Sequence, residues 1–191
     1  MAKKRASETV GHHDGAQGPL DLARWITANA AAFRPPVANK VVFPGSELIF
    51  MVVRGPNARN DFHINPGDEI FYQLEGTIAV DVHHDDGHTE RRLVNAGDVM
   101  LVPGGVAHSP RRPAGTWGVV IERERRPDEI DQIVWFCEHC GHELRRAPFA
   151  LSDIETELAP IIREFNADAA ARHCPQCGSV FPVATEFVLG E

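Results

Sequence analysis

No apolar run in the sequence approaches the length of a membrane span, so a lipid-crossing helix is not expected. The opening stretch, MAKKRASETVGHHDG, carries charge and histidine but no apolar signal core, which leaves a cytoplasmic home as the expectation. Positive charge is scarce as well. Nineteen Lys and Arg stand against 27 Asp and Glu, for a net charge of −8, and beyond KKR near the start there is no basic patch. Such a chain is not drawn to nucleic acid or to an anionic membrane surface, so neither partner is expected. Internal repeats and low-complexity tracts are absent, which sets aside stacked-repeat architectures.

What is present suits a folded chain with one full-sized domain and a small appendage: 191 residues, 43% of them hydrophobic. Residues 1–19 are polar without periodicity and read as a mobile tail. Leu22, Trp25, Ile26, Asn29 and Phe33 have helical spacing, and Pro35 and Pro36 end that helix. Short runs rich in β-branched and aromatic residues follow: LIFMVV (48–53), EIFYQLEG (69–76), TIAVDV (77–82), RRLV (91–94), DVMLVP (98–103) and GVVIE (118–122). The turn signals NPGD, HDDG, NAGD and PGG separate them. Closely spaced antiparallel strands without intervening helices predict a mainly β fold, a jelly-roll barrel of the cupin kind over residues 20–131. From about residue 132 the character changes. A small unit is expected over 132–182, with a helix opened by a capping box from Ser152 to Glu155, followed by a tail over 183–191. In that helix Ile154, Leu158, Ile161, Ile162 and Phe165 share a face, and Pro160 must kink or restart it.

Two segments have the layout of a metal site. His63, Glu69 and Gly76 fit H-x5-E-x6-G, and Gly97, Pro103, Gly105 and His108 fit G-x5-P-x-G-x2-H. Together they resemble the two cupin motifs, with Asn65 where a second histidine is common and Arg112 where Asn is common. Two histidines and one carboxylate leave three coordination positions open on a non-haem Fe(II), enough for a chelating substrate and dioxygen. His83, His84 and His88 sit in a hairpin turn and read as surface residues.

RPPVANKVVF, GPNARNDFH, EIFYQLEG, VPGGVAHSPRRP and VVIERERRP together resemble the 3-hydroxyanthranilate 3,4-dioxygenases, from about residue 20 to the C-terminus. That resemblance implies an enzyme that opens the ring of 3-hydroxyanthranilate with O2, giving 2-amino-3-carboxymuconate semialdehyde on the kynurenine route to quinolinate and NAD. It implies Fe(II) on His63, Glu69 and His108, and a homodimer. It assigns Arg112 to the substrate carboxylate, Arg59 to the neighbourhood of substrate and oxygen, and Glu122 to the substrate phenol or amine. Two guanidiniums suit an aromatic carboxylate, because the planar fork gives bidentate, charge-assisted bonds. PRRP and RERRP are also ordinary surface composition. Arg112 is chosen over Arg111, and Glu122 over Glu124, by motif position alone. Glu122 and Glu124 would face the same side of an extended strand.

All four cysteines fall in two pairs, Cys137-x2-Cys140 and Cys174-x2-Cys177, each followed by a glycine, Gly141 and Gly178. That spacing predicts a closed tetrahedral thiolate site for a second Fe or a Zn, structural rather than catalytic, since no coordination position stays open. The resemblance extends to a rubredoxin-like unit in some members of the family. Disulfides are the alternative pairing. A nucleic-acid-binding zinc ribbon is a weaker reading, because residues 137–191 hold four Arg, no Lys and nine Asp or Glu. For the whole chain, a different cupin metalloenzyme (an isomerase, or another aromatic or thiol dioxygenase) and a non-enzymatic metabolite-binding regulator are the competing functions.

Overall fold

The computed structural model describes residue 16, residues 18–34 and residues 36–190. The tail expected over 1–19 therefore lies almost wholly outside the described residues, as does Pro35. Helix α1 (Leu22–Asn29) starts where Asp21 caps it, accepting from the Arg24 amide at 3.0 Å, and closes with a 3₁₀ turn over Ala30–Ala32. Phe33 and Trp25 turn inward from this element onto Trp117, Phe33 lying edge-on to both rings.

Eleven strands follow among the described residues: β1 (Asn39–Val41), β2 (Leu48–Arg54), β3 (Phe62–Ile64), β4 (Glu69–Glu75), β5 (Ile78–His83), β6 (Thr89–Val94), β7 (Val99–Val102), β8 (Ala107–Arg111), β9 (Trp117–Arg123), β10 (Asp131–Phe136) and β11 (Glu143–Phe149). They form two antiparallel sheets, β1-β2-β9-β4-β7 and β11-β10-β3-β8-β5-β6, in the two-layer jelly-roll arrangement. The six runs expected as strands are β2, β4, β5, β6, β7 and β9. Of the five others, β1 and β3 are three residues long, β8 (AHSPR) and β11 (ELRRAPF) are polar, and β10 (DQIVWF) runs straight into the first cysteine pair, where a separate unit is expected.

Strand alternation decides what reaches the interior. On β4, Glu69, Phe71 and Gln73 are buried while Ile70 and Tyr72 face out. Register sets these against β9 as Glu69↔Glu122, Phe71↔Val120 and Gln73↔Gly118. The first pair is chemical, the second apolar, and the third polar with an empty side. In the other sheet His63 pairs directly with His108, and Ile133 of β10 with His63.

Residues beyond 131 join this framework. β10 and β11 extend the six-stranded sheet, and one core cluster takes Met51, Phe71, Val102 and Val120 together with Ile133, Trp135, Leu158, Ile162, Phe165 and Phe181. Trp135 stacks on Phe165 with ring centroids 4.1 Å apart. Helix α2 (Leu158–Ala167) contributes Leu158, Ile162 and Phe165 to that core. The expected capping box is not formed. Ser152 instead bonds to Glu157, through its amide at 2.9 Å and its hydroxyl at 2.5 Å, and Glu155 reaches back to Lys40 and the Val41 amide. Glu155 finds a cation and an edge-strand donor there, which outbid the local cap. Residues 154–156 form a turn and α2 begins at Leu158, so the helix starts afresh with Pro160 as its third residue, where the missing N–H costs no helical bond. Among the described residues, no helix is long and apolar enough to cross a membrane.

Candidate metal centre and active site

The motif carboxylate comes from one sheet and the two histidines from the other, so the three converge between the layers. Glu69 opens β4 after the turn Asn65–Asp68, and His63 and His108 share a rung of β3 and β8. Glu69 Oε1 lies 3.3 Å from His63 Nδ1, and Glu69 Oε2 lies 3.3 Å from His108 Nε2. The three donor atoms fall within 4.8 Å of one another, and all three residues are buried. The turn of Pro103–Gly105 closes one side of the site. Gly105 donates to the Asn65 carbonyl and Gly104 to Asp68, and a Cβ on Gly104 would stand 2.6 Å from the Pro66 carbonyl oxygen. Gly104, which is not a motif position, is thus required by turn-on-turn contact, while the motif Gly105 is required by its φ of 82°.

The electrostatics favour a cation. Burial opposes the Glu69 carboxylate, but the charges and hydrogen bonds of His108 and His63 hold it well below the usual range. Burial likewise disfavours charged His63, yet the hydrogen bonds of Asp131 and Glu69 raise it to about 9. A buried carboxylate kept ionised beside two imidazoles suits a divalent ion, and the donor set fits a transition metal with positions left over.

Asn65 stands where a further histidine would have made a fourth ligand, and its amide is fully engaged. Its Nδ2 donates to Glu69 Oε1 at 2.9 Å and to Glu122 Oε2 at 2.6 Å, while its Oδ1 accepts from the Gly67 amide at 2.7 Å. Glu122 Oε1 is buried without a hydrogen-bond partner. Burial, reinforced by the neighbouring Glu69 charge, pushes Glu122 up to about 8 against the pull of Arg125. Glu124 lies beyond the end of β9 and is exposed, so the two glutamates do not share a face as the extended spacing suggests.

Arg59 and Arg112 line the same cavity of about 50 Å³ with His63, Glu69, His108 and Glu122. They are not equivalent. Arg59 is neutralised by Asp61, with Nε at 3.1 Å and Nη2 at 2.5 Å from the carboxylate oxygens. Arg112 is 3% exposed and reaches only the Gln73 side-chain oxygen, at 3.3 Å; among the described residues no carboxylate pairs with it. Burial and the nearby Arg59 charge lower it to about 9. Gly118 makes room for this contact, since a Cβ there would lie 2.7 Å from the Gln73 oxygen and 3.1 Å from Arg112 Nη1. Arg111, the other candidate, ends β8 and lies over the ring of Phe187 instead.

Asp131 and Arg125 were not legible as site residues. Asp131 Oδ1 is 2.7 Å from His63 Nε2, and Arg125 grips Asp131 through Nε and Nη2, both at 2.7 Å, while also touching Glu122 at 3.2 Å. Asp131 lies 68 residues from His63 with no spacing rule between them, and RERRP reads as surface although the Arg125 side chain is 4% exposed. His83 stacks on Phe136 at 3.6 Å and His84 on His88 at 4.3 Å, and among the described residues none of them joins a group able to hold a metal. A larger cleft, of about 750 Å³ around Met100, Val106 and Phe136, carries no such convergent set among the described residues.

The four cysteines form the other group. Their sulfurs lie within 4.8 Å of one another, with Cys137–Cys177 and Cys140–Cys174 each at 3.6 Å. A disulfide would need about 2.05 Å, whereas a tetrahedral site with bonds of about 2.3 Å has edges of roughly 3.8 Å. Two equivalent knuckles build it: Gly141 donates to the Cys137 carbonyl and Gly178 to that of Cys174, at φ of 72° and 79°. The hydroxyl and amide of Ser179 hold Cys177 below the usual thiol range.

The chain is similar to proteins of known kind over most of its length. It is 43% identical over 167 residues to a 3-hydroxyanthranilate 3,4-dioxygenase of Bacillus cereus, covering 87% of this chain and 93% of that one. It is 42% identical over 173 residues to one of Xanthomonas campestris, covering 91% and 97%. A solved cupin-2 domain containing protein from Shewanella frigidimarina matches 51% of this chain and 91% of its own, at 20% identity and a TM-score of 0.42. With residues 15–166 matching the family description as well, the chain belongs to the 3-hydroxyanthranilic acid dioxygenase family.

Proposed function

We propose that this enzyme opens the ring of 3-hydroxyanthranilate with O2 to give 2-amino-3-carboxymuconate semialdehyde, using Fe(II) held by His63, Glu69 and His108. The observation that carries the reading is Arg112, a buried guanidinium with no carboxylate partner among the described residues, lining the cavity with those three residues. A buried charge without a partner is costly, and a substrate carboxylate supplies the partner. Bound Fe(II) would supply open positions for a chelating substrate and O2, with the redox capacity that dioxygen chemistry needs.

The remaining roles fall to the chain. Arg112 binds the carboxylate, and Arg59, with Nε and Nη2 committed to Asp61, has Nη1 left to offer the substrate. Glu122 takes the phenolic proton at Oε1, the oxygen left free while Asn65 and Arg125 hold Oε2. Val37, Met51, Ile154 and Leu158 close the cavity in apolar surface and keep water out. At about 50 Å³ it is far smaller than the roughly 150 Å³ known to admit benzene, so the apolar lining must part as the ring enters. The four-cysteine group is read as a second, structural Fe or Zn site, and four free thiols fit a reducing, cytoplasmic setting. The test is O2 uptake by ferrous-reconstituted enzyme. Uptake with 3-hydroxyanthranilate, and loss of it with the decarboxylated 2-aminophenol at equal concentration, is expected; equal rates on both would refute the carboxylate reading.

A further inference from the structure

The segment Phe181–Phe187 runs over the β2–β3 connection, which carries Arg59, while Arg112 directly follows β8. The Pro182 carbonyl accepts from Asn60 Nδ2 at 3.0 Å, and the Phe187 amide donates to the Asn57 carbonyl at 3.1 Å, so the segment Phe181–Phe187 is tied to both sides of Arg59. Asn57 in turn clasps the end of β8. Its Oδ1 accepts the Arg112 amide at 2.9 Å, its amide donates to the Arg112 carbonyl at 3.0 Å, and its Nδ2 donates to the Pro110 carbonyl at 2.7 Å.

The Phe187 ring anchors this arrangement. It is buried, with the guanidinium carbon of Arg91 5.3 Å and that of Arg111 5.4 Å from its centroid. Asp81 neutralises Arg91 through two bonds of 2.7 and 3.0 Å. Arg111 has no carboxylate partner among the described residues, and its Nε is buried without a hydrogen bond, so the aromatic face is its principal counterpart. The upstream end is fixed too. Arg172 binds the Phe181 carbonyl through Nη1 at 2.9 Å, and its own carbonyl receives the Phe181 amide at 2.7 Å, two residues before Cys174.

We propose that the Phe181–Phe187 strap, anchored by Phe187 under Arg91 and Arg111, is a positioning device for Arg59 and Arg112 and sets the affinity for the substrate carboxylate. The proposal rests on the functional reading above. Phe187 touches no reacting atom and acts through Asn57. A bidentate guanidinium contact is sensitive to displacement, so loosening its backbone weakens binding before it affects the chemical step.

The test uses the full chain loaded with metal at both sites, comparing wild type, Phe187→Ala and Phe187→Tyr. Phe187→Ala is expected to raise KM for 3-hydroxyanthranilate about tenfold with kcat within about twofold, while Phe187→Tyr, which keeps a π face, stays near wild type. Hydrogen exchange at the amides of Asn57 and Arg112 should quicken in Phe187→Ala alone, with metal content at both sites unchanged. A wild-type KM in Phe187→Ala overturns the proposal, as does a loss of kcat in step with lost metal. Should wild type fail to consume O2 with 3-hydroxyanthranilate, the functional reading falls, and the exchange rates, which need no substrate, still decide the strap: unchanged exchange overturns it.

Discussion

The Nε2 of His63 lies 2.7 Å from Oδ1 of Asp131, and Asp131 is itself clamped by Arg125. A carboxylate behind a ligating imidazole fixes the ring's orientation and tautomer and makes the other nitrogen a better donor. Asp131→Ala should therefore weaken metal binding at the His/Glu/His site by about 10- to 100-fold while leaving the thiolate-bound metal in place. Competition titration with a chelator reads the difference, and unchanged affinity would mean that Asp131 serves the fold alone.

Arg112→Ala should raise KM strongly without loss of metal. The lost pair is worth roughly 1.5 to 3 kcal/mol, or about 10- to 150-fold in binding. Anaerobic substrate titration alongside metal analysis checks both halves of the statement. Arg111→Ala should act more weakly, through Phe187.

Asn65 keeps two carboxylates apart by donating one N–H to each. Asn65→Ala leaves Glu69 and Glu122 facing each other without the shared amide, Glu122 Oε2 keeping only Arg125 and Glu69 Oε1 only His63, at a cost of about 1 to 3 kcal/mol. Turnover is expected to fall by about tenfold or more, with KM little changed, because the damage is to the acid–base group and a ligand while the carboxylate clamp is intact. A fall confined to KM would contradict this.

Glu122→Gln keeps the shape and removes the proton acceptor. Substrate should still bind and kcat should drop, by about 100-fold if Glu122 is the general base. Unchanged turnover would remove Glu122 from the proton path.

Replacing Cys137 and Cys140 by Ser should release one metal per chain and lower the melting temperature. Trp135 and Phe136 run directly into Cys137, and Trp135 stacks on Phe165 within a core that also holds Phe71 and Val120. The same core predicts that Phe165→Ala costs about 3 to 5 kcal/mol and that the chain still unfolds in one transition, followed by denaturant titration with circular dichroism. The cysteine variant should retain kcat below its melting point. An inactive variant that is folded and fully loaded at His63, Glu69 and His108 would place the thiolate site within the mechanism.

Local chemistry wrote much of this protein into its sequence. The His63, Glu69 and His108 spacings, the glycines of the turns and the two cysteine pairs are constraints within a few residues of chain, where φ, turn type and strand alternation act, so they were visible in order along it. Six strands were visible for the same reason, as apolar and β-branched runs between turn signals, although Ile70, Tyr72, Leu93, Val99 and Leu101 in them face outward. Other features depended on which strands became neighbours. Asp131 reaches His63 only because β10 lies beside β3, and Arg125 becomes a buried bridge only because β9 ends against that pair. Arg112 and Arg111 are adjacent and identical in type, and the end of β8 sends one into the cavity, where no carboxylate among the described residues pairs with it, and the other to Phe187. Likewise Ser152 and Glu155 carry a valid capping signal, but Lys40 and the Val41 amide, more than a hundred residues away in sequence, take Glu155 from it. Periodicity records which side of an element is buried; which distant polar group waits there is decided by sheet order and register, and these are set by the summed packing of the whole core.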